Sequence, residues 1–392
     1  MTKGCFNLYA VKNISNILHL AGIYIHIPYC RKACHYCDFH FSTHFDTKER
    51  MVHAMVLELT QRKDFLPFPI DTIYLGGGTP SVLSPEELSK IFLSIRQNYL
   101  LSEHVEITLE ANPDDIEDNN LSLWRSLGVN RLSIGCQTFD DTILVQLNRI
   151  HRAEESIAAY HLARAKGFDN ISIDLMFGLP TQTEHQWIAD LELAVSLQPE
   201  HISAYGLTIE DKTVFGSLHK KGQLTVPGEE QQALYYEQMM RILVDKGYDQ
   251  YEISNFCLPG YKSKHNSSYW NQEKYLGIGP SAHSFDGESR MWNDSNNMMY
   301  INKIEAGQVA YTLESLSLKD RANEYILTTL RTKEGISIQK LIGELHYPKE
   351  KLNEILPWFV QNGWIEHTSD QISLTTSGKL LADEITLKIF LN

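Results

Sequence analysis

Between residues 22 and 206 one rhythm repeats: a short run of β-branched and aromatic residues, a polar turn, then a helical pattern. The runs at 22–27, 72–75, 105–110, 131–135, 171–175 and 201–205 read as strands, with helices near 47–62, 85–99, 118–127, 153–166 and 183–196 between them. Such alternation predicts a parallel sheet with helices packed outside it. Ser84-Pro85-Glu86-Glu87 offers an N-cap, a proline at the first helical position and two acids in the first turn. Gly128 and Gly167 follow helices where a left-handed residue is wanted. Polar residues gather at the C-terminal ends of the strands, which suits a partial (β/α)6 TIM-like barrel better than a doubly wound sheet. The fold class is therefore α/β.

The rest of the chain divides by pattern. Residues 1–21 read as an N-terminal extension, 22–206 as the barrel core, and 207–320 as an extension of it, rich in Tyr, Asn, Gly and Ser, with loops and a few short elements. Residues 321–392 carry helical patterns at 321–332, 337–345 and 349–361, a hairpin at 364–366 and 371–374, and a last helix after Ser377. This is the layout of a winged-helix-like α+β module. Such modules often bind DNA, but residues 320–392 hold 8 Lys and Arg against 10 Asp and Glu, and the whole chain of 392 residues is net −14. Nucleic acid needs a basic footprint, so it is not an expected partner. The longest apolar stretch, 17–29, is interrupted by His19 and His26 and is short of the ~20 residues of a membrane span.

Three of the six cysteines fall in Cys30-x3-Cys34-x2-Cys37, directly after the first strand. Clustered thiols in a long chain read as metal or cluster ligands rather than a disulfide framework, and they imply a reducing compartment. Three thiolates on one tight loop can hold three irons of a 4Fe-4S cluster and leave the fourth open. The alternative is a structural zinc site, with His35 or His40 as the fourth ligand. Cys136 and Cys257 read as buried small apolar residues, and Cys5 has no assigned role.

The cysteine spacing, its strand and the Gly76-Gly77-Gly78-Thr79-Pro80 turn after the second strand resemble the radical S-adenosylmethionine superfamily. Within it the chain is similar to the group formed by the oxygen-independent coproporphyrinogen III oxidases and their haem-chaperone paralogues. The shared segments are Tyr-Ile-His-Ile-Pro-Tyr-Cys, Gly-Gly-Gly-Thr-Pro-Ser, Leu-Ser-Ile-Gly-Cys-Gln-Thr-Phe and Ile-Asp-Leu-Met-Phe-Gly-Leu-Pro-Thr-Gln-Thr, within residues 22–185. The resemblance implies a 4Fe-4S cluster on Cys30, Cys34 and Cys37, and S-adenosylmethionine on the open iron. By motif position it implies contacts to S-adenosylmethionine from Tyr24, Tyr36, Gly77, Gly78, Thr79, Glu110, Gln137, Arg149 and Asp174. Taken singly, Glu110, Gln137, Arg149 and Asp174 also read as rim salt bridges or helix caps.

Two features separate the paralogues. The oxidase carries a fourth cysteine two residues after the third, and here that position is Phe39. His265-Asn266-Ser267-Ser268-Tyr269-Trp270 is similar to the haem-binding motif of the chaperone group. That implies haem near His265, with Tyr269 as the second candidate ligand and Trp270 as a stacking partner. A packed loop in which His265 and Tyr269 merely hydrogen-bond is the plain alternative, and His283 is a further candidate ligand. The resemblance implies a cytoplasmic haem chaperone that meets a membrane haem protein of the respiratory chain through transient contact and without stable insertion. The other readings are oxidative decarboxylation of coproporphyrinogen III to protoporphyrinogen IX, a radical enzyme acting on RNA, and a structural zinc protein. The residues leave the oligomeric state open, monomer or dimer.

Overall fold

The computed structural model describes residues 21–391; the expected extension at 1–21 lies outside them but for its last residue. Six strands run in chain order: β1 (Ala21–Ile27), β2 (Ile70–Gly77), β3 (Leu101–Ala111), β4 (Arg131–Gln137), β5 (Ile171–Phe177) and β6 (His201–Gly206). Each pairs in parallel with the next. The connecting helices are α1 (Lys48–Gln61), α2 (Pro85–Asn98), α3 (Asp118–Ser126), α4 (Asp141–Gln146), α5 (Ala153–Ala165) and α6 (Glu184–Ser196). Parallel strands need such crossovers, and the helices cover the sheet's apolar face. Ser84 caps α2 in a capping box with Glu87, as its sequence signature predicts. The short helix α4 is an addition to the expected elements.

Residues 207–320 hold more regular structure than their composition suggests. They form α7 (Val214–Lys220), the 17-residue α8 (Glu229–Asp245), β7 (Asp249–Gln250), β8 (Asn255–Cys257), α9 (Lys264–Trp270), β9 (Lys274–Ile278), β10 (His283–Phe285), β11 (Ser289–Asn293), α10 (Asn297–Glu305) and β12 (Tyr311–Ser315). Strands of two or three residues are too short to show a period of two, so pattern reading passes over them. They extend the sheet at both margins, giving the order β12-β11-β10-β9-β1-β2-β3-β4-β5-β6-β8-β7. The join at one side is parallel, β9 on β1.

The remaining residues form α11 (Leu318–Thr329), β13 (Ile336–Ser337), α12 (Lys349–Gln361), β14 (Ile365–His367), β15 (Gln371–Leu374), α13 (Thr376–Lys379) and α14 (Ala382–Ile389). Their three-stranded sheet, β13-β15-β14, surrounds a separate apolar core built on Ile326, Leu341, Phe359 and Ile372. A π-helical turn at Gln339–Glu344 stands where an α-helix was expected from residue 337.

The central strands alternate sharply. Ile23, Ile25, Ile73, Leu109, Ile134 and Ile173 face the helices and are fully buried, each contributing ~1.5–3 kcal/mol. The intervening positions are polar: Tyr24, Tyr74, Glu110, Arg131, Asp174 and His201. Arg131 is 1% exposed. Its charge reaches Tyr74 on β2, Glu110 on β3, Asp174 on β5 and His201 on β6. A flat sheet would spread β2 and β6 roughly 19 Å apart, so the sheet is curved, with the polar face on its concave side.

Candidate functional site

The cysteine loop is pinned on every side. Cys30 N–H donates to Ser42 O (3.0 Å) and Ser42 N–H to Pro28 O (2.9 Å), closing the loop on itself. His35 N–H donates to Leu147 O (3.1 Å), the Asn148 side chain donates to Ala33 O (2.7 Å), and Phe215 N–H donates to His35 O (2.9 Å). All three thiols are half-buried, whereas Cys136 and Cys257 are buried. Burial pushes the Cys30 thiol up to about 12 and the Cys37 thiol up to about 11, and the neighbouring thiols add to both shifts.

The glycine turn packs against this loop. Gly78 N–H donates to Ile27 O and Thr79 N–H to Tyr29 O, both at 2.8 Å. A Cβ on Gly78 would lie 2.7 Å from Ile27 O and 2.8 Å from Tyr29 O. Gly77 has φ +101°, and a Cβ there would meet the His26 ring at 2.5 Å. These glycines therefore first serve to bring two strand ends together.

A hydrogen-bonded bridge joins two of the sulfurs. Thr79 Oγ1 donates to Cys30 Sγ (3.4 Å) and receives Asn112 Nδ2 (3.4 Å). Asn112 Oδ1 accepts from Arg149 Nη2 (2.7 Å), and Arg149 Nη1 donates to Cys34 Sγ (3.4 Å). Arg149 Nη2 also donates to Gly135 O (2.7 Å). Burial works against this guanidinium's charge, but Tyr36 and Cys34 beside it hold its pKa above the usual arginine range. Asn112 is a site residue that motif reading passed over; its only signal was its place two residues beyond Glu110 and directly before Pro113.

The other expected contacts gather at the same rim. Glu110 accepts from Tyr74 O–H (2.7 Å) and Gly77 N–H (3.2 Å), and burial raises its carboxyl to about 7. Asp174 accepts from Ser133 Oγ (2.9 Å) and Ser172 Oγ (3.1 Å); burial raises its pKa, and these hydroxyls hold it back. Gln137 occupies a left-handed position, φ 69°, at a β-bulge against β5. Tyr36 packs against the small apolar cluster that holds Leu147 and Leu179, with its hydroxyl close to Cys34. Tyr24 O–H bonds His26 Nδ1 (3.1 Å), while His26 Nε2 bonds His40 O (2.8 Å). The carbonyl can only accept, so the His26 proton is on Nε2.

These residues fit the two groups expected of the loop. Among the described residues no three His, Cys, Asp or Glu side chains converge as the donors of one ion must; a four-iron cluster instead takes each thiolate on a different iron. Arg149 Nε is buried and has no partner, a donor left for an incoming carboxylate. Tyr24, Glu110, Gln137 and Asp174 line the same concave face.

The 265–270 segment packs below this rim, against Tyr24 and Tyr74. His265 on α9 is 1% exposed, and both ring nitrogens are engaged: Nδ1 with Thr72 Oγ1 (2.7 Å) and Nε2 with Tyr269 O–H (3.0 Å). Its ring stacks on Tyr74, centroids 5.0 Å apart, and burial pushes it down to about 3. Tyr269 stands edge-on to Tyr275 (4.5 Å). Trp270 is half-buried, and its indole nitrogen has no partner. Thr72 pairs with Gly22 at the start of β1, whereas the cysteine loop leaves the other end, five residues and roughly 16 Å away. His265 thus sits nearer the N-terminal end of the strands than the cysteine loop, but its ring also stacks on Tyr24, 6.4 Å away, so the segment adjoins the Tyr24, Tyr74 and Glu110 layer from below.

Comparison with known proteins follows the same lines. The profile of the Radical SAM superfamily matches residues 24–194. The protein named "Heme chaperone HemW" of Bacillus subtilis (strain 168) is 38% identical, the match covering 93% of this chain and 98% of that protein. Those of Lactococcus lactis and Escherichia coli (strain K12) are 34% and 31% identical, each covering 94% of this chain. Among solved structures, coproporphyrinogen III oxidase (HemN) from Escherichia coli superposes with a TM-score of 0.82 at 22% identity, over 95% of this chain and 90% of that one. That likeness establishes the α/β fold of the radical SAM type.

Proposed function

The chain belongs to the radical SAM superfamily and, within it, to the HemW family of haem chaperones, and from that membership we propose that it binds haem and delivers it to an acceptor haem protein. The observation that carries this reading is 38% identity along nearly the whole of both chains. Phe39, in place of a fourth cysteine, agrees with it. Cys30, Cys34 and Cys37 would hold the 4Fe-4S cluster. Arg149, Glu110, Gln137, Asp174, Tyr24, Tyr36 and the Gly77-Gly78-Thr79 turn would hold S-adenosylmethionine. When bound and reduced, that pair supplies a 5′-deoxyadenosyl radical. The chain's own part is positional. Thr79 and Arg149 donate to the Cys30 and Cys34 sulfurs, which would favour the more negative state of a cluster held there, and the glycine turn fixes the loop against β2.

The framework we propose is a partial (β/α)6 barrel with a winged-helix-like C-terminal module. The acceptor class, a respiratory membrane protein, comes from the family resemblance alone. Among the described residues no helix is long and apolar enough to cross a membrane, which suits a transient membrane encounter from the cytoplasm. The second reading, coproporphyrinogen III oxidation, is favoured by the intact rim around the cysteines. An anaerobic assay separates the two. Protein with reconstituted cluster, reductant and S-adenosylmethionine is given coproporphyrinogen III, and the same preparation is loaded with haem and mixed with an apo-acceptor. Haem transfer without protoporphyrinogen IX supports the chaperone; decarboxylated product sinks it.

A further inference from the structure

A carboxylate that accepts from two adjacent hydroxyls must be held in one orientation and keep a free lone pair on each oxygen. Glu110 meets both demands through two partners. Its Oε1 accepts from the Tyr74 hydroxyl (2.7 Å) and its Oε2 from Gly77 N–H (3.2 Å). Each carboxylate oxygen can accept about two donors, so one position is left on each. The ribose of S-adenosylmethionine carries such a pair of hydroxyls.

The turn fixes Gly77 N–H, but Tyr74 is a ring on a rotatable side chain, and what holds it lies on α9. The His265 ring stacks on it, with centroids 5.0 Å and planes 23° apart. Tyr24 closes the trio, 6.2 Å from Tyr74 and 6.4 Å from His265. His265 is itself clamped to the two strands that carry Tyr74 and Glu110. Its Nδ1 bonds Thr72 Oγ1 (2.7 Å), on the same face of β2 as Tyr74. Its backbone N–H donates to Glu106 Oε1 (3.1 Å), on the same face of β3 as Glu110, and Lys264 N–H donates to Glu106 Oε2 (3.2 Å). Gly76 leaves the space for the contact above. A Cβ there would lie 2.8 Å from Tyr74 Cε1 and 2.9 Å from Glu110 Oε1.

We propose that Tyr74, held in place by His265, is the positioning residue that aims Glu110 at the ribose of S-adenosylmethionine, so that α9 sets cofactor affinity from beneath the rim. This rests on the radical SAM reading of that rim and gives the buried His265 a part in it.

Glu110 is faced by Tyr24 from β1, Tyr74 from β2, Arg131 from β4, Asp174 from β5 and Tyr269 from α9. Among the described side chains Tyr74 is the one that donates a hydrogen bond to it. Burial raises the carboxyl to about 7 and the Tyr74 bond holds it back, so losing that bond moves its titration upward.

The test measures S-adenosylmethionine binding to the full chain with reconstituted cluster, by anaerobic equilibrium dialysis between about pH 6 and 9. Tyr74→Phe keeps the stacked ring and removes only the hydroxyl. It should bind about tenfold more weakly near neutral pH, with the gap to wild type narrowing as pH rises. The 2′-deoxy analogue, one hydroxyl short, should lose less than S-adenosylmethionine does on the same substitution. No loss in Tyr74→Phe, a loss equal at every pH, or an equal loss with the analogue overturns the proposal. His265→Ala should also weaken binding, and His265→Phe, which returns a flat ring over Tyr74, should regain it; a folded His265→Ala chain with wild-type affinity overturns the part given to α9. A wild-type chain that binds no S-adenosylmethionine at any pH brings down the cofactor reading itself, and the first dialysis shows this before any variant is made.

Discussion

Asn112 holds together what the cysteine motif only implies. Among the described residues its side chain bonds both Thr79 and Arg149, and so links Cys30 to Cys34. Asn112→Ala leaves a buried guanidinium short of an acceptor, at a cost of about 1–3 kcal/mol. Urea unfolding should show that loss, and iron and sulfide per chain should fall after anaerobic reconstitution. His265 supplies a prediction in pH. Its folded pKa, about 3, lies below that of an ordinary histidine, so the unfolded chain takes up the proton first as pH falls. Its contribution to stability is therefore complete above pH ~6.5 and declines as pH drops toward 3, by about 2 kcal/mol between pH 7 and 5. In His265→Gln the denaturation midpoint should lose that part of its pH dependence. The cysteines, the glycine turn and Glu110 were legible because their neighbours in the chain announce them. The environment of His265 was not, because Thr72, which engages it, lies 193 residues away.

At the level of elements, the six central strands and five of their helices were readable because each carries one clean period. Capping and turn residues stood at their ends. The alternation also held the apolar outer face in plain view. What escaped was the margins: β8 and β10 have three residues each, and only their partners make them strands. The glycine turn gives the sharpest test at this scale. In Gly78→Ala the new methyl meets two backbone oxygens that cannot rotate away, so we expect about 1–3 kcal/mol of destabilisation and loss of reconstituted iron. Gly343→Ala, with nothing within 4 Å of the added Cβ, should change stability by less than about 0.5 kcal/mol. Thermal melts of the two side by side decide it.

Across the whole molecule, α11 and the turn after it reach both margins of the sheet. Glu324 accepts two bonds from Arg290 on β11. At the far side Ile253 N–H donates to Arg331 O (3.1 Å), Lys333 N–H donates to Tyr251 O (3.0 Å), and Lys333 pairs with Asp249 on β7 (2.6 Å). The C-terminal module is thus a strap as well as a separate core, a role its own sequence could not reveal because the groups it grips belong to other elements. Glu324→Ala frees one margin only. Amide exchange in β10–β12 should quicken by about tenfold, while β7 and β8 keep their protection; equal loosening of both margins would show that the strap does not act there.

The parallel join of β1 to β9 has a consequence in time. Ala21 pairs with Lys274, and Ile25 with Ile278. At ribosomal speeds of about 5–20 residues per second, β1 waits roughly 10–50 s for the strand that covers its edge. For that interval a strand with three buried isoleucines, Ile23, Ile25 and Ile27, has one side unpaired, with the three cysteines following directly behind it. The nascent chain is therefore most vulnerable to aggregation and oxidation at the segment on which the finished protein most depends.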